Sequence, residues 1–311
     1  MSKFIQQLIL LGTLLLFALF PFSAVAHNVQ NKIQVVVSFS ILADLVKNVG
    51  GNHVSTTTFI GPNANTHAYE PSPRDAQALR NADIIFINGL HLEGFIDRLI
   101  TASGTKALLV EVSTSISPLK IKNQEQSAQQ YHHNSYIDPH AWQTIPNVEI
   151  YIKNIAAAFC KIDQPSCTSY NKNAEIYLQK LKAMQEKLKT KIAIIPKDQR
   201  IIITSHDAFG YFAKEYGFTI LAPQSASTEA EATPADVAKL IKQIKTNKAT
   251  ALFIENISNP RLIKQIAKET GLKIGGILYS DALSNENGPA ATYLDMMEHN
   301  VNTIINAITK H

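Results

Sequence analysis

Cysteine is almost missing from this chain: Cys160 and Cys167 are the only two among 311 residues. A thiolate metal site would need further ligands close by, and the segment CKIDQPSC offers only Asp163. Two cysteines so close in sequence instead predict a disulfide, closed in an oxidising compartment. Long apolar runs are equally scarce. After residues 8–20 no stretch approaches the roughly 18 unbroken apolar residues of a membrane span, so the chain is not expected to cross a bilayer. Positive charge is not concentrated either. The formal net charge is +4, and no Lys/Arg block is dense enough for a nucleic-acid surface. Neither a phosphate-binding GxxxxGK[ST] loop nor an HExxH zincin helix is present, which argues against a nucleotide-driven motor and a zinc hydrolase within this chain. Trp142 is the only tryptophan, which speaks against an aromatic-lined pocket for an organic ligand.

What is present begins with an export signal. Lys3 supplies a positive start, residues 8–20 an apolar core, and Ala24-Val25-Ala26 a small-x-small cleavage site. Residues 1–26 are thus expected to be removed. No cysteine stands at the cleavage point for lipid attachment, so a free protein of the Gram-negative periplasm is expected, with a monomer as the default.

β-Branched runs alternate with helical patterns, as in parallel sheets. Strands are predicted at IQVVVSFS from Ile33, VSTTTFI from Val54, ADIIFIN from Ala82 and ALLVEVS from Ala107. The alternation restarts with RIIITS from Arg200, FTILAP from Phe218, ATALFIE from Ala249 and KIGGILYS from Lys273. Helices are predicted from near Ser40, Ser72 and Gly89. Ser72-Pro73 and Thr233-Pro234 each read as an N-cap followed by proline at the first helical position. Between the two alternations, residues 168–194 carry apolar side chains at helical spacing, Tyr170, Ala174, Tyr177, Leu181, Leu188 and Ile192 among them. The predicted fold is α/β: a lobe over residues 27–167, a linking helix over 168–194 and a second lobe over 195–311. A single helix between lobes predicts small domain movements. Residues 117–134, polar and aperiodic, read as a surface loop.

Four side chains stand where chemistry would be expected. His67 follows the second strand, His140 lies in YIDPHAW, His206 in RIIITSHDAFGYF just past a strand, and Asp281 in GILYSDALS after another. Open α/β sheets bind ligands at the carboxyl ends of their strands, so all four are expected to converge on the interlobe cleft. Three imidazoles and one carboxylate suit Zn²⁺ and leave no open position for an activated water, which favours binding over catalysis.

At this point the chain resembles a known family, the zinc- and manganese-binding receptors of bacterial ABC importers, the group of TroA-like and ZnuA-like proteins. The resemblance runs over about residues 32–308. It rests on HAYEPSP at His67, DPHAW at Asp138, TSHDAFGYF at Thr204, FIENISNP at Phe253, and SDALS followed by ATYLDMMEHN. It implies two α/β lobes joined by one helix, a membrane permease and an ATPase as partners, and metal ligands at His67, His140, His206 and Asp281. Manganese members of that group tend to carry Glu at the third histidine position. His206 therefore points to Zn²⁺ as the transported ion, with Mn²⁺ or iron as the alternative. Zinc members often carry a His-rich loop, of which only His132 and His133 are counterparts here. Glu70 and Glu255 are candidate acceptors for histidine N–H groups, and Glu255 is also a candidate to replace Asp281 as ligand. His91 reads as structural.

Overall fold

The structure is a computed structural model that describes residues 32–121 and 137–309. The expected export signal and the pair His132 and His133 lie outside the described residues. The first lobe opens with β1 (Ile33–Phe39), α1 (Ser40–Gly50), β2 (Val54–Ile60), α2 (Pro73–Arg80), β3 (Ile84–Ile87), α3 (Ile96–Ser103) and β4 (Leu108–Glu111), and closes with α4 (Ile145–Ile162). α5 (Cys167–Ile192) leads into the second lobe. There follow β5 (Ile201–Ile203), α6 (Gly210–Tyr216), β6 (Thr219–Leu221), α7 (Pro234–Asn247), β7 (Ala251–Glu255), α8 (Arg261–Thr270), β8 (Ile274–Leu278) and α9 (Tyr293–Thr309).

Every ladder is parallel. The strand orders are β2-β1-β3-β4 and β6-β5-β7-β8, the same winding twice. Helices cover both faces of such sheets, which is why the central strands are near-continuous apolar runs; IIFI of β3 is wholly buried. In each lobe the strand order reverses between the first and third strands, and a crevice opens there at the carboxyl ends.

The caps behave as the sequence predicts. Ser72 and Asp75 form a capping box at α2, Thr233 and Asp236 another at α7, each with proline behind the cap. One expected start fails: α3 begins at Ile96, not near Gly89. Gly89, Leu90 and His91 all have positive φ, and the Glu93 carboxylate accepts the N–H groups of Asn88 and Gly89, so a tight turn replaces the first helical turn.

α5 spans 26 residues, about 40 Å. Its first half is tied to the first lobe, where Asn173 Nδ2 donates to Val49 O. Its second half is tied to the second lobe, where Lys187 and Lys191 pair with Glu298 and Tyr216 O–H donates to Gln185 Oε1. One hydrophobic cluster runs from Val35 through Trp142 and Leu181 to Met296, so both lobes and the linker share a core. Cys160 and Cys167 are joined in a disulfide at the α4–α5 junction. Among the described residues no helix is long and apolar enough to cross a membrane.

Candidate metal centre

His67, His140, His206 and Asp281 meet in one cluster, their ligand atoms all within 4.8 Å of one another. The first lobe supplies two of them from loops. After β2 the chain leaves the sheet, and Asn65 Oδ1 accepts the N–H of His67 at 3.0 Å. Asp138 Oδ1 accepts the N–H of His140 at 2.9 Å in the same two-residue pattern, an Asx turn. Asp138 in turn is pressed close to the second lobe, because a Cβ at Gly210 would sit 2.5 Å from Asp138 Oδ2 and would push that carboxylate aside. The second lobe supplies the other two from strand ends. β5 runs directly into His206, and the segment after β8 into Asp281, whose neighbour Ser280 O accepts from Trp142 Nε1 and Gln143 Nε2 of the first lobe.

The candidate ligand atoms are closely spaced. His140 Nε2 lies 3.2 Å from His67 Nε2 and 3.4 Å from His206 Nε2. Asp281 Oδ2 lies 3.3 Å from both His67 and His206 Nε2, and Oδ1 3.6 Å from His140 Nε2. With bonds of about 2.0–2.1 Å, neighbouring donors on one small ion stand about 3.3–3.4 Å apart, the spacing of His140 from the other two histidines and of Asp281 Oδ2 from His67 and His206. The side chains of His140, His206 and Asp281 are fully buried, and that of His67 is 4% exposed. The Asp281 carboxylate is buried with imidazole nitrogens as its neighbours, and a buried carboxylate is costly unless positive charge meets it.

Acids behind the histidines set their orientation. His140 Nδ1 is 2.8 Å from Asp138 Oδ1, and His206 Nδ1 is 2.5 Å from Glu255 Oε2. With each Nδ1 turned to a carboxylate, the Nε2 lone pairs are left to the centre. Glu255 is itself fixed, its Oε1 accepting the N–H groups of Ser205 and His206 at 2.7 and 2.9 Å. Burial presses the His206 proton off, but Glu255 and Asp281 outweigh it and hold this imidazole well above its usual range. For Asp281 burial acts upward, and His206 and His140 outweigh it, keeping the carboxyl well below the usual range. At His67 burial prevails and lowers the affinity for a proton.

The two candidate acids from the sequence thus separate. Glu255 stands on the far side of the His206 ring as an acceptor, not at the centre in place of Asp281. Glu70 is exposed, and the capping of α2 belongs to Asp75. Asp138 is not among the sequence candidates, because an Asx turn accepts the N–H two residues on whatever side chain that residue carries. His91 is exposed on its positive-φ turn and is not among the four clustered residues.

Two α/β lobes of like winding around a buried His₃Asp cluster are the frame of a metal-binding receptor, and similarity to known proteins places the chain among the substrate-binding proteins of metal ABC transporters. Residues 35–307 match the ZnuA family, zinc-uptake complex component A, periplasmic, and the chain belongs to that family. It is 33% identical to the iron-binding protein YfeA of Yersinia pestis over 97% of this chain and 96% of that one. Among solved structures it resembles the Mn-bound periplasmic metal-binding protein of Candidatus Liberibacter asiaticus, with 31% identity, TM-score 0.79, and 89% of this chain and 100% of that one covered. The periplasmic zinc-binding protein TroA of Treponema pallidum follows, with 29% identity, TM-score 0.81, and 89% and 99% covered. These relatives are named for iron, manganese and zinc, so membership establishes a metal as the solute and not which metal.

Proposed function

We propose that this chain captures one Zn²⁺ ion in the periplasm and hands it to a membrane permease driven by a cytoplasmic ATPase, with His67, His140, His206 and Asp281 as the ligands. The observation that carries the reading is the buried cluster of three Nε2 atoms and one carboxylate, all within 4.8 Å of one another. Four protein ligands leave no coordination position for a reacting water, consistent with capture and release. An exported location is supported by the leader-like residues 1–26 and by the Cys160–Cys167 disulfide. The domain division that goes with this reading is 27–167, 168–194 and 195–311.

A second reading, Mn²⁺ or Fe²⁺ as the transported ion, has its own observation. Both Asp281 oxygens face the histidines, Oδ1 toward His140 and Oδ2 toward His67 and His206. A carboxylate binding through both oxygens raises the coordination number and suits the harder ions. The test is metal competition on the purified protein under the chelating conditions of the periplasm, followed by growth of a deletion strain on single metals. Zinc binding alone does not decide, because zinc outcompetes manganese at most nitrogen sites. Rescue of growth by the chain under zinc limitation supports the zinc reading; rescue only under manganese or iron limitation replaces it.

A further inference from the structure

Only His67 among the four clustered side chains has any exposure, so an ion held there is nearest to solvent on the His67 side. The loop bearing His67 is stitched to the second lobe. Asn63 N–H donates to Leu283 O at 2.9 Å, and Asn256 Nδ2 donates to Asn63 Oδ1 at 3.1 Å. Both of these bonds run near the segment after β8. Asn65 reaches elsewhere: its Nδ2 donates to Thr228 Oγ1 at 2.9 Å, and the Thr228 hydroxyl lies 3.1 Å from Asn65 Oδ1. Thr228 belongs to the irregular segment between β6 and α7. That segment is otherwise braced by its own bonds, Gln224 Nε2 to Ala230 O and Ser225 Oγ to Ser227 O, and by its start beside His206.

The Asn65 carboxamide therefore has two tasks. Its Oδ1 holds the N–H of His67, and the same group is anchored across the cleft by one hydroxyl. We propose that Asn65 and Thr228 are a positioning pair that keeps His67 seated on the captured ion and so sets the rate of metal release. The inference rests on the receptor reading above. The hydrogen bonds of the Thr228 hydroxyl go to Asn65 and not to the four clustered side chains, so its loss leaves the ligand set whole. What it removes is the one cross-cleft bond made by the residue that holds the His67 N–H, while the Asn63 and Thr66 bonds to the second lobe remain, and His67 then leaves the ion more often at unchanged stoichiometry.

The experiment uses the full chain loaded with Zn²⁺, with release into excess chelating dye followed by stopped flow and metal content measured beforehand. Thr228→Val keeps the shape and deletes the hydroxyl; Thr228→Ser keeps the hydroxyl. One zinc per chain in all three proteins is expected. Release from Thr228→Val should be about tenfold faster, the scale of one net hydrogen bond, and Thr228→Ser should stay within about twofold of the parent. Normal loading with equal release rates in parent and Thr228→Val overturns the pair alone. So does a serine variant as fast as the valine variant, since the hydroxyl is then not the agent. A parent chain that takes up no zinc overturns the receptor reading and this inference together.

Discussion

The two lobes share a winding but deliver their ligands by different means. In the first, His67 and His140 sit in loops, each fixed by an Asx turn from a residue two positions earlier. In the second, His206 and Asp281 follow strand ends directly, and a strand residue, Glu255, grips both the backbone and the ring of His206. The first lobe's buried acid Glu93, in the turn beyond its third strand, accepts from Ser38 Oγ, Asn88 N–H and Gly89 N–H. One lobe thus presents its half-site from turns, and the other from strand ends braced by a strand carboxylate. Similar topology does not impose similar roles.

The largest test of this contrast removes a ligand. His206→Ala or Asp281→Ala should lower metal affinity by more than about a hundredfold, beyond the 10–100-fold loss typical of residues behind the ligands. Circular dichroism should show the fold intact, since one core runs through both lobes without the ion. Chelator competition gives the affinity, and an unchanged value removes that residue from the ligand set.

Next come the acids behind the rings. Glu255→Gln should cost about 10–100-fold in affinity, because an amide nitrogen then faces an N–H group on one side. Asp138→Asn should cost less, since the amide oxygen still accepts from the His140 backbone. Equal losses in calorimetric titration would erase the distinction between a strand-held and a turn-held histidine.

Acid should weaken binding. His206 without metal holds its proton above the usual imidazole range, and that proton must leave before Nε2 can ligate. The protonated form competes with the metal at low pH, so affinity should rise with pH from about 5.5 through neutrality, by up to tenfold per unit while His206 is still protonated. An affinity flat over that interval contradicts the assignment.

The smallest effect on binding is expected at Glu93. Burial pushes its carboxyl up to about 7. The folded chain thus holds a proton that the unfolded chain has already lost, so this group's contribution to stability is full below the ordinary carboxylate range and lost as pH rises toward 7. Glu93→Gln should flatten that part of the stability–pH curve in thermal melts and change metal affinity by less than about threefold. A hundredfold loss of affinity would make Glu93 part of the binding machinery and dissolve the contrast between the lobes.

Much of this arrangement is legible in the amino-acid order. Alternating β-branched runs and capped helices mark both lobes, and the apolar spacing of Tyr170, Tyr177, Leu181 and Leu188 marks the linker, whose observed ends differ from expectation by one or two residues. His206 and Asp281 are legible as candidates because they lie just past strand ends, where open sheets bind, whereas His67 and His140 stand in loops and are legible only from their motifs. Asp138 is harder, because the Asx turn that places its carboxylate against its own neighbour's ring is a local event with no periodic signal. Glu255 left two roles open, and only the distance to His206 Nδ1 separates them. In GLHLEGF the pattern suggests a helix start, and the capture of two backbone N–H groups by Glu93 overrides it.

The central claim is that these four side chains, two from each lobe, hold one ion. Diffraction from metal-loaded crystals at the absorption edge of zinc tests it most directly. The account predicts a single anomalous peak about 2.0–2.2 Å from the Nε2 atoms of His67, His140 and His206 and from the Asp281 carboxylate. A peak elsewhere, or a loaded crystal with no peak in the cleft, would contradict it.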